Sequence, residues 1–253
     1  MPNLMSVTDN DQVINLPGPG NFQFSAVRIK NLGATEYTLV TIVCDISGSV
    51  QPFSNELENC IKMIIEACKK SHRAENLLIR LLHFNSDIYE IHGFKKLSEI
   101  DLNDYKPLAP DLMTALVDAT YDAIGATLEY AGRLIDQEFD CNGAVYIITD
   151  GCDNKSKMVP SMIKNKIEET LAKEDIESLV SILIGINDPK QKWAKEVKKA
   201  LDEFFIESGL TKFINAGDAT PQKLAKVANW VSESVSSQSQ ALGTGVASQP
   251  LTF

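Results

Sequence analysis

Between residues 36 and 235 the chain alternates between short apolar runs and longer segments whose apolar residues recur every three or four positions. The runs predict strands and the recurring positions predict helices. "YTLVTIVC", Tyr37 to Cys44, is apolar on both faces, as a central parallel strand covered by helices on either side requires. Leu57, Ile61, Ile64, Ile65 and Cys68 then fall on one helical stripe that runs to about Lys70, with Pro52 suited to its first turn. The series continues as strand 76–84, a short strand 88–94 reached by a tight turn at "NSD", a polar loop to Pro110 and a long helix 115–137. Strand 144–150, helix 159–173, strand 178–186, helix 191–208, strand 212–216 and helix 221–235 complete it. This order specifies an α/β fold: a doubly wound, mostly parallel sheet with one antiparallel hairpin strand and helices on both faces. No internal repeat is visible.

The two ends differ from this core. Residues 1–20 are polar and close on "LPGPG", which cannot continue regular structure, so they predict a flexible arm. "FQFSAVRI", from Phe22, alternates well enough for a strand at a sheet edge. The segment 236–253, "SSQSQALGTGVASQPLTF", is Ser-, Gln- and Gly-rich and predicts a flexible tail. The chain therefore divides into an arm (1–20), one domain (21–235, core 36–235) and a tail (236–253).

At 253 residues with 44% hydrophobic content, a substantial core can be buried. A net charge of −10 argues against nucleic-acid binding, which needs clustered Lys and Arg to neutralise phosphates. The five cysteines (Cys44, Cys60, Cys68, Cys141, Cys152) include no CxxC pair and read as small buried hydrophobes in a reducing compartment. No stretch reaches a membrane span and the first residues lack a signal-peptide pattern, so the expected location is the cytoplasm. His72, His83 and His92 lack ligand spacing, and Trp193 and Trp230 sit on amphipathic helices where core packing is the default.

The chemistry concentrates at the carboxyl ends of the strands, where the loops of an open parallel sheet converge on one crevice. Asp45, Ser47 and Ser49 follow the central strand at alternate positions. Asp150 of "ITDGCDN" follows a second strand, and Thr114 of "PDLMTALVDA" opens the long helix. Two carboxylates and three hydroxyls are hard oxygen donors that suit Mg²⁺, Mn²⁺ or Ca²⁺ better than zinc. Such an ion takes about six ligands, so an open position remains for a partner's carboxylate. A lone Asp-x-Ser-x-Ser can be no more than a capped turn. With Asp150 and Thr114 in matching loops, the metal reading is preferred. Asp118, one turn beyond Thr114, could orient a ligand or favour the helix N-terminus. Asp153 and Asn154 read as ordinary turn residues.

Asp45-Ile46-Ser47-Gly48-Ser49, Thr114 and Asp150-Gly151 resemble the metal-ion-dependent adhesion site of von Willebrand factor type A domains, across residues 36–235. The resemblance implies a Rossmann-like fold and a bound divalent ion, Mg²⁺ or else Mn²⁺ or Ca²⁺. It also implies a partner protein that gives the ion an Asp or Glu, with no bond made or broken. Asp45, Ser47 and Ser49 would supply its first motif, Thr114 the second and Asp150 the third. Where the family usually has glycines before the threonine, this chain has Leu112-Met113, so a displaced loop there would weaken the site. The approach "FSAVRIKNLGATEYTLVTIVCDISGSV" and "NWVSESVSS" look most like the bacterial and phage branch linked to tellurium resistance and stress response.

Three functions compete. The first is a metal-dependent adaptor that binds an acidic residue of a partner. The second is a structural subunit of a phage or multiprotein assembly, with arm and tail wrapping neighbours. The third is a metal-dependent hydrolase or phosphotransferase using Ser47 or Ser49, for which neither a G-x-S-x-G elbow nor a P-loop is present.

Overall fold

The computed structural model describes residues 2–172, 176–188, 190, 192–242, 244 and 249–253. Among these residues nine strands form one sheet: β1 (Asn3–Leu4), β2 (Asp11–Asn15), β3 (Gln23–Val27), β4 (Glu36–Asp45), β5 (Leu77–Phe84), β6 (Ile88–Lys96), β7 (Asp140–Thr149), β8 (Leu179–Ile186) and β9 (Lys212–Gly217). The order is β2-β3-β6-β5-β4-β7-β8-β9, with β1 parallel to the start of β6. β5, β4, β7, β8 and β9 run parallel, and β6 returns antiparallel to β5 as the hairpin strand the sequence called for. Among the described residues five α-helices cover it: α1 (Ser54–Lys69), α2 (Leu116–Ile135), α3 (Pro160–Leu171), α4 (Ala194–Ser208) and α5 (Pro221–Ala241).

The alternation within β4 separates two cores. Leu39 and Val43 face α2, α3 and α4, whereas Val40, Ile42 and Cys44 face α1 and α5. The stripe Leu57, Ile61, Ile64, Ile65 and Cys68 is wholly buried on the second side. Each large aliphatic side chain buried there contributes roughly 1.5–3 kcal/mol, which makes this stripe the main attachment of α1. Pro52 stands in a 3-10 turn over Gly48–Phe53 rather than in α1 itself, which starts at Ser54.

The ends depart from expectation. Residues 1–20 are not a free arm: β1 lies on β6, and β2 pairs antiparallel with β3 over five residues. Ile14 and Leu16 are buried in the α2-side core, so two apolar residues in a polar segment suffice to anchor it. β3 consequently is not an edge strand. It abuts β6 at Ala26 and Phe94, where a Cβ on Gly93 would lie 1.9 Å from the Ser25 carbonyl oxygen. Only glycine permits that approach.

The expected tail also joins the fold. α5 runs on to Ala241 because its polar residues find buried partners. Gln238 Nε2 donates to the Tyr146 hydroxyl (3.2 Å) and to Ser234 Oγ (3.1 Å). Beyond it, Trp230 Nε1 donates to Thr252 O at 3.0 Å and the Phe253 ring packs edge-on to Trp230. Residues 243 and 245–248 of that segment, and the helix ends expected at 173 and 191, lie outside the described residues.

Trp230 is buried, but Trp193 is not, contrary to expectation: it is 60% exposed. α4 begins at Ala194, so Trp193 precedes the buried stripe and lies under the Lys192 ammonium, 4.7 Å from the ring centre. Cys44, Cys60, Cys68 and Cys141 are buried and Cys152 is half-buried. Among the described residues no helix is long and apolar enough to cross a membrane.

Candidate metal centre

β4 delivers Asp45 fully buried at its last position, and β7, its parallel neighbour, ends at Thr149 just before Asp150. Strand pairing therefore sets the two acids side by side. Asp45 Oδ1 accepts the Ser47 amide at 2.8 Å, and Oδ2 accepts the Thr149 hydroxyl at 2.5 Å. The Ser47 and Ser49 hydroxyls lie 3.2 Å apart, and Ser49 Oγ donates to Asp150 Oδ1 at 2.8 Å. Four of the candidate ligands thus form one continuous hydrogen-bonded chain.

Thr114 arrives on the loop between β6 and α2, which is stitched onto the first motif. The Gly48 amide donates to Leu112 O (3.2 Å) and the Asp111 amide to Ile46 O (3.1 Å). Leu112 has φ +67°, the left-handed backbone that glycine adopts without cost. The loop thus keeps the conformation a glycine would give, and the leucine bears the strain. Thr114 is buried, and a Cβ on Gly151 would lie 3.7 Å from Thr114 Oγ1 and 3.8 Å from Ser49 Oγ. All five candidate residues therefore converge, including the one the missing glycines placed in doubt.

Asp118 ties down a neighbouring loop. Its Oδ1 accepts the amides of Lys157 (3.0 Å) and Met158 (2.8 Å), clamping the loop after β7 against the first turn of α2. Asp153 and Asn154, expected to be ordinary turn residues, tie the same loop to α2. Asn154 Oδ1 accepts the Thr114 amide at 2.8 Å and its own amide donates to Thr114 O at 3.0 Å, while Asp153 Oδ1 accepts from Val117 N and Ser156 Oγ. Sequence reasoning also passed over Thr149, whose place directly before the third-motif acid is its only signal.

The electrostatics favour a cation. Burial pushes the Asp45 carboxyl above its ordinary value, against the pull of its hydrogen bonds from Thr149 and Ser47. Burial, then the neighbouring Asp45, pushes Asp150 up to about 7. Two desolvated acids in contact through hydroxyls are costly to ionise together, and a divalent ion removes that cost. Among the described residues no three His, Cys, Asp or Glu side chains cluster as metal ligands. The convergent set is two carboxylates with three hydroxyls, which fits a hard ion rather than a soft one.

No family model and no curated protein matches the chain. Solved structures do. The PilB minor pilin from Streptococcus sanguinis aligns with TM-score 0.52 and 14% identity over 87% of this chain and 66% of the pilin. Proximal thread matrix protein 1 from the mussel byssus, in a form with a zinc-occupied MIDAS motif, gives 0.50 and 17% over 80% of this chain and 46% of that one. The pilus adhesin SpaC from Lactobacillus rhamnosus GG, in its open conformation, gives 0.53 and 10% over 90% of this chain and 34% of the adhesin. The chain thus spans between a third and two thirds of the length of these three structures. What these likenesses show is the fold, the Rossmann-like α/β architecture of the von Willebrand A type.

Proposed function

We propose that this chain is a divalent-metal-dependent protein interaction module. Asp45, Ser47, Ser49, Thr114 and Asp150 hold the ion, and an Asp or Glu of a partner protein completes its coordination. The observation that carries the reading is the convergence of five oxygen donors from three separate loops at one end of the sheet, with both acids held on neighbouring strands. The mussel protein with a zinc-occupied MIDAS supports the ion and the pilus adhesin supports the adhesive role, each as a likeness of fold. The donor chemistry favours Mg²⁺, with Mn²⁺ and Ca²⁺ next.

The surface around the centre narrows the partner. Leu112 (54% exposed), Met113, Val159 and Trp193 all stand exposed on loops at the carboxyl ends of the parallel strands. Of these, Leu112 adjoins the first motif, since its carbonyl accepts the Gly48 amide, and an exposed apolar side chain beside a binding centre suits a partner contact. A partner acid flanked by apolar side chains fits it. A cytoplasmic setting and a place in a bacterial or phage tellurium-resistance or stress-response complex are the finer parts of this proposal. They rest on the sequence resemblance of the segments ending in β4 and α5.

One contact favours a second reading. Ser49 Oγ donates to Asp150 Oδ1, so a carboxylate stands where the base of a serine hydrolase or phosphotransferase would. Turnover of a phosphoester that Asp150→Ala eliminates would establish it over the adaptor. The adaptor itself is tested by calorimetric titration of Mg²⁺, Mn²⁺ and Zn²⁺ into chelated protein, beside the double variant Asp45→Ala, Asp150→Ala. Saturable one-site binding lost in the variant is the expected result. Equal binding by both proteins would overturn the proposal.

A further inference from the structure

On the α1 and α5 side of the sheet, a cavity of about 410 Å³ opens beneath the segment 97–109. Its walls include Ile46, Tyr89, Ile91, Ile100, Tyr105 and Leu108, and its size falls in the roughly 300–1,000 Å³ range of small-molecule sites. Two polar groups in this apolar lining lack the partners that burial demands. Lys95 is only 8% exposed and donates from Nζ to Ser6 Oγ at 3.0 Å, with no carboxylate at ion-pair distance among the described residues. An ammonium carries three donors, and a buried cation without a counter-charge is costly. His83 lines the same cavity, and its buried Nε2 has no hydrogen-bond partner.

His92 provides the contrast. Its Nδ1 lies 2.9 Å from Gly93 O and so carries the proton, which leaves Nε2 to accept the Tyr105 hydroxyl at 2.8 Å. That imidazole is saturated and closes one wall. Glu99, Asp101 and Asp104 also line the cavity, but they are exposed at its mouth, where solvent and salt weaken their repulsion of an incoming anion.

We propose that this cavity binds a small monoanion with an apolar body, an aromatic or short-chain aliphatic carboxylate, whose charge pairs with Lys95 and whose body lies against Ile91, Ile100 and Tyr105. A carboxylate supplies the missing counter-charge, and an apolar body fills the remaining volume without leaving further polar groups unpaired. Ile46 and Asn85 give the cavity a wall in common with the loops of the metal centre. Its ligand chemistry is nevertheless separate, since no hydroxyl or acid of that centre takes part.

The test is calorimetric titration of phenylbutyrate, and of its uncharged amide, into the full chain in excess chelator, so that the metal centre plays no part. The acid should bind at one saturable site at least about tenfold more tightly than the amide, the difference a charge-assisted contact makes. Lys95→Met should abolish that preference and Lys95→Arg should keep it. No saturable binding of the acid, equal binding of acid and amide, or a preference that survives Lys95→Met overturns the proposal. Should Lys95→Met fail to fold, the acid-against-amide comparison in the native chain decides alone.

Discussion

The Thr149 hydroxyl donates to Asp45 Oδ2 at 2.5 Å from the adjacent strand, while the other oxygen of that carboxylate accepts the Ser47 amide at 2.8 Å. The two bonds fix the plane of a fully buried acid before any ion arrives. A partner of this type orients a ligand without touching the metal, and its loss typically weakens metal binding about 10–100-fold. Thr149→Val keeps the shape and deletes the donor, so its Mg²⁺ affinity should drop within that range. Thr149→Ser should retain most of it. Calorimetry on the two variants separates loss of the donor from loss of packing.

Proton linkage gives a second prediction. Burial, then the neighbouring Asp45, pushes Asp150 from its ordinary value of 3.8 up to about 7 in the folded chain. The folded state therefore holds the extra proton between those values, and the metal-free protein should lose stability as pH rises from about 4 to about 7. Asp122 adds to the same trend up to about 6, because burial outweighs the attraction of Arg80. Metal binding requires ionised acids, so Mg²⁺ affinity should rise through the same window and binding near pH 6 should release a proton. Thermal unfolding across pH with chelator and with saturating Mg²⁺ checks this. The ion should remove the Asp150 part of the pH dependence and leave that of Asp122.

Asn154 and Asp118 hold the same loop at different points and should fail differently. Asn154 bonds the Thr114 backbone through both its side chain and its amide, so Asn154→Ala frees a candidate ligand and should weaken Mg²⁺ binding several-fold. Asp118 holds Lys157 and Met158, farther along the loop. Asp118→Ala removes hydrogen bonds to a charged acceptor, worth roughly 1.5–3 kcal/mol, and should lower the unfolding midpoint more than it lowers metal affinity. Measuring both quantities on both variants distinguishes a positioning group from a structural clamp.

These residues also show how far the sequence could be read. The alternation through β4 and the spacing of Asp45, Ser47 and Ser49 are local, and both the strand and the ligand loop follow from them. Thr149, Asn154 and Asp118 act across 104, 40 and 39 residues of chain, so their partners emerge only once strands and helices are packed. The ends were misread for a related reason. Polar composition suggested a free arm and tail, but Ile14, Leu16 and Gln238 find burial or hydrogen bonds on a surface that the rest of the chain creates. Leu112 is the converse case: its residue type argued for a displaced loop, and tertiary bonds from Gly48 and Asp111 hold the left-handed turn regardless.

Arg80 supplies the last prediction. It is fully buried, with Nε 2.7 Å from Glu90 Oε2 and Nη2 2.8 Å from Asp122 Oδ2. Glu90 Oε1 in turn accepts both the amide (2.9 Å) and the hydroxyl (2.5 Å) of Ser25. One guanidinium therefore joins β5 and β6 to α2 and, through Glu90, to β3, the strand that carries the N-terminal hairpin. Satisfaction is incomplete, since Arg80 Nη1 and Asp122 Oδ1 are buried without partners. Removing the cation strands two carboxylates in the core, and breaking a buried pair in this way costs about 3–5 kcal/mol. Arg80→Met should lose that much in chemical denaturation. Adding Asp122→Leu should recover part of it, because one stranded charge disappears. If the double variant is no more stable than the single, the loss comes from packing around Arg80 rather than from the charges it neutralises.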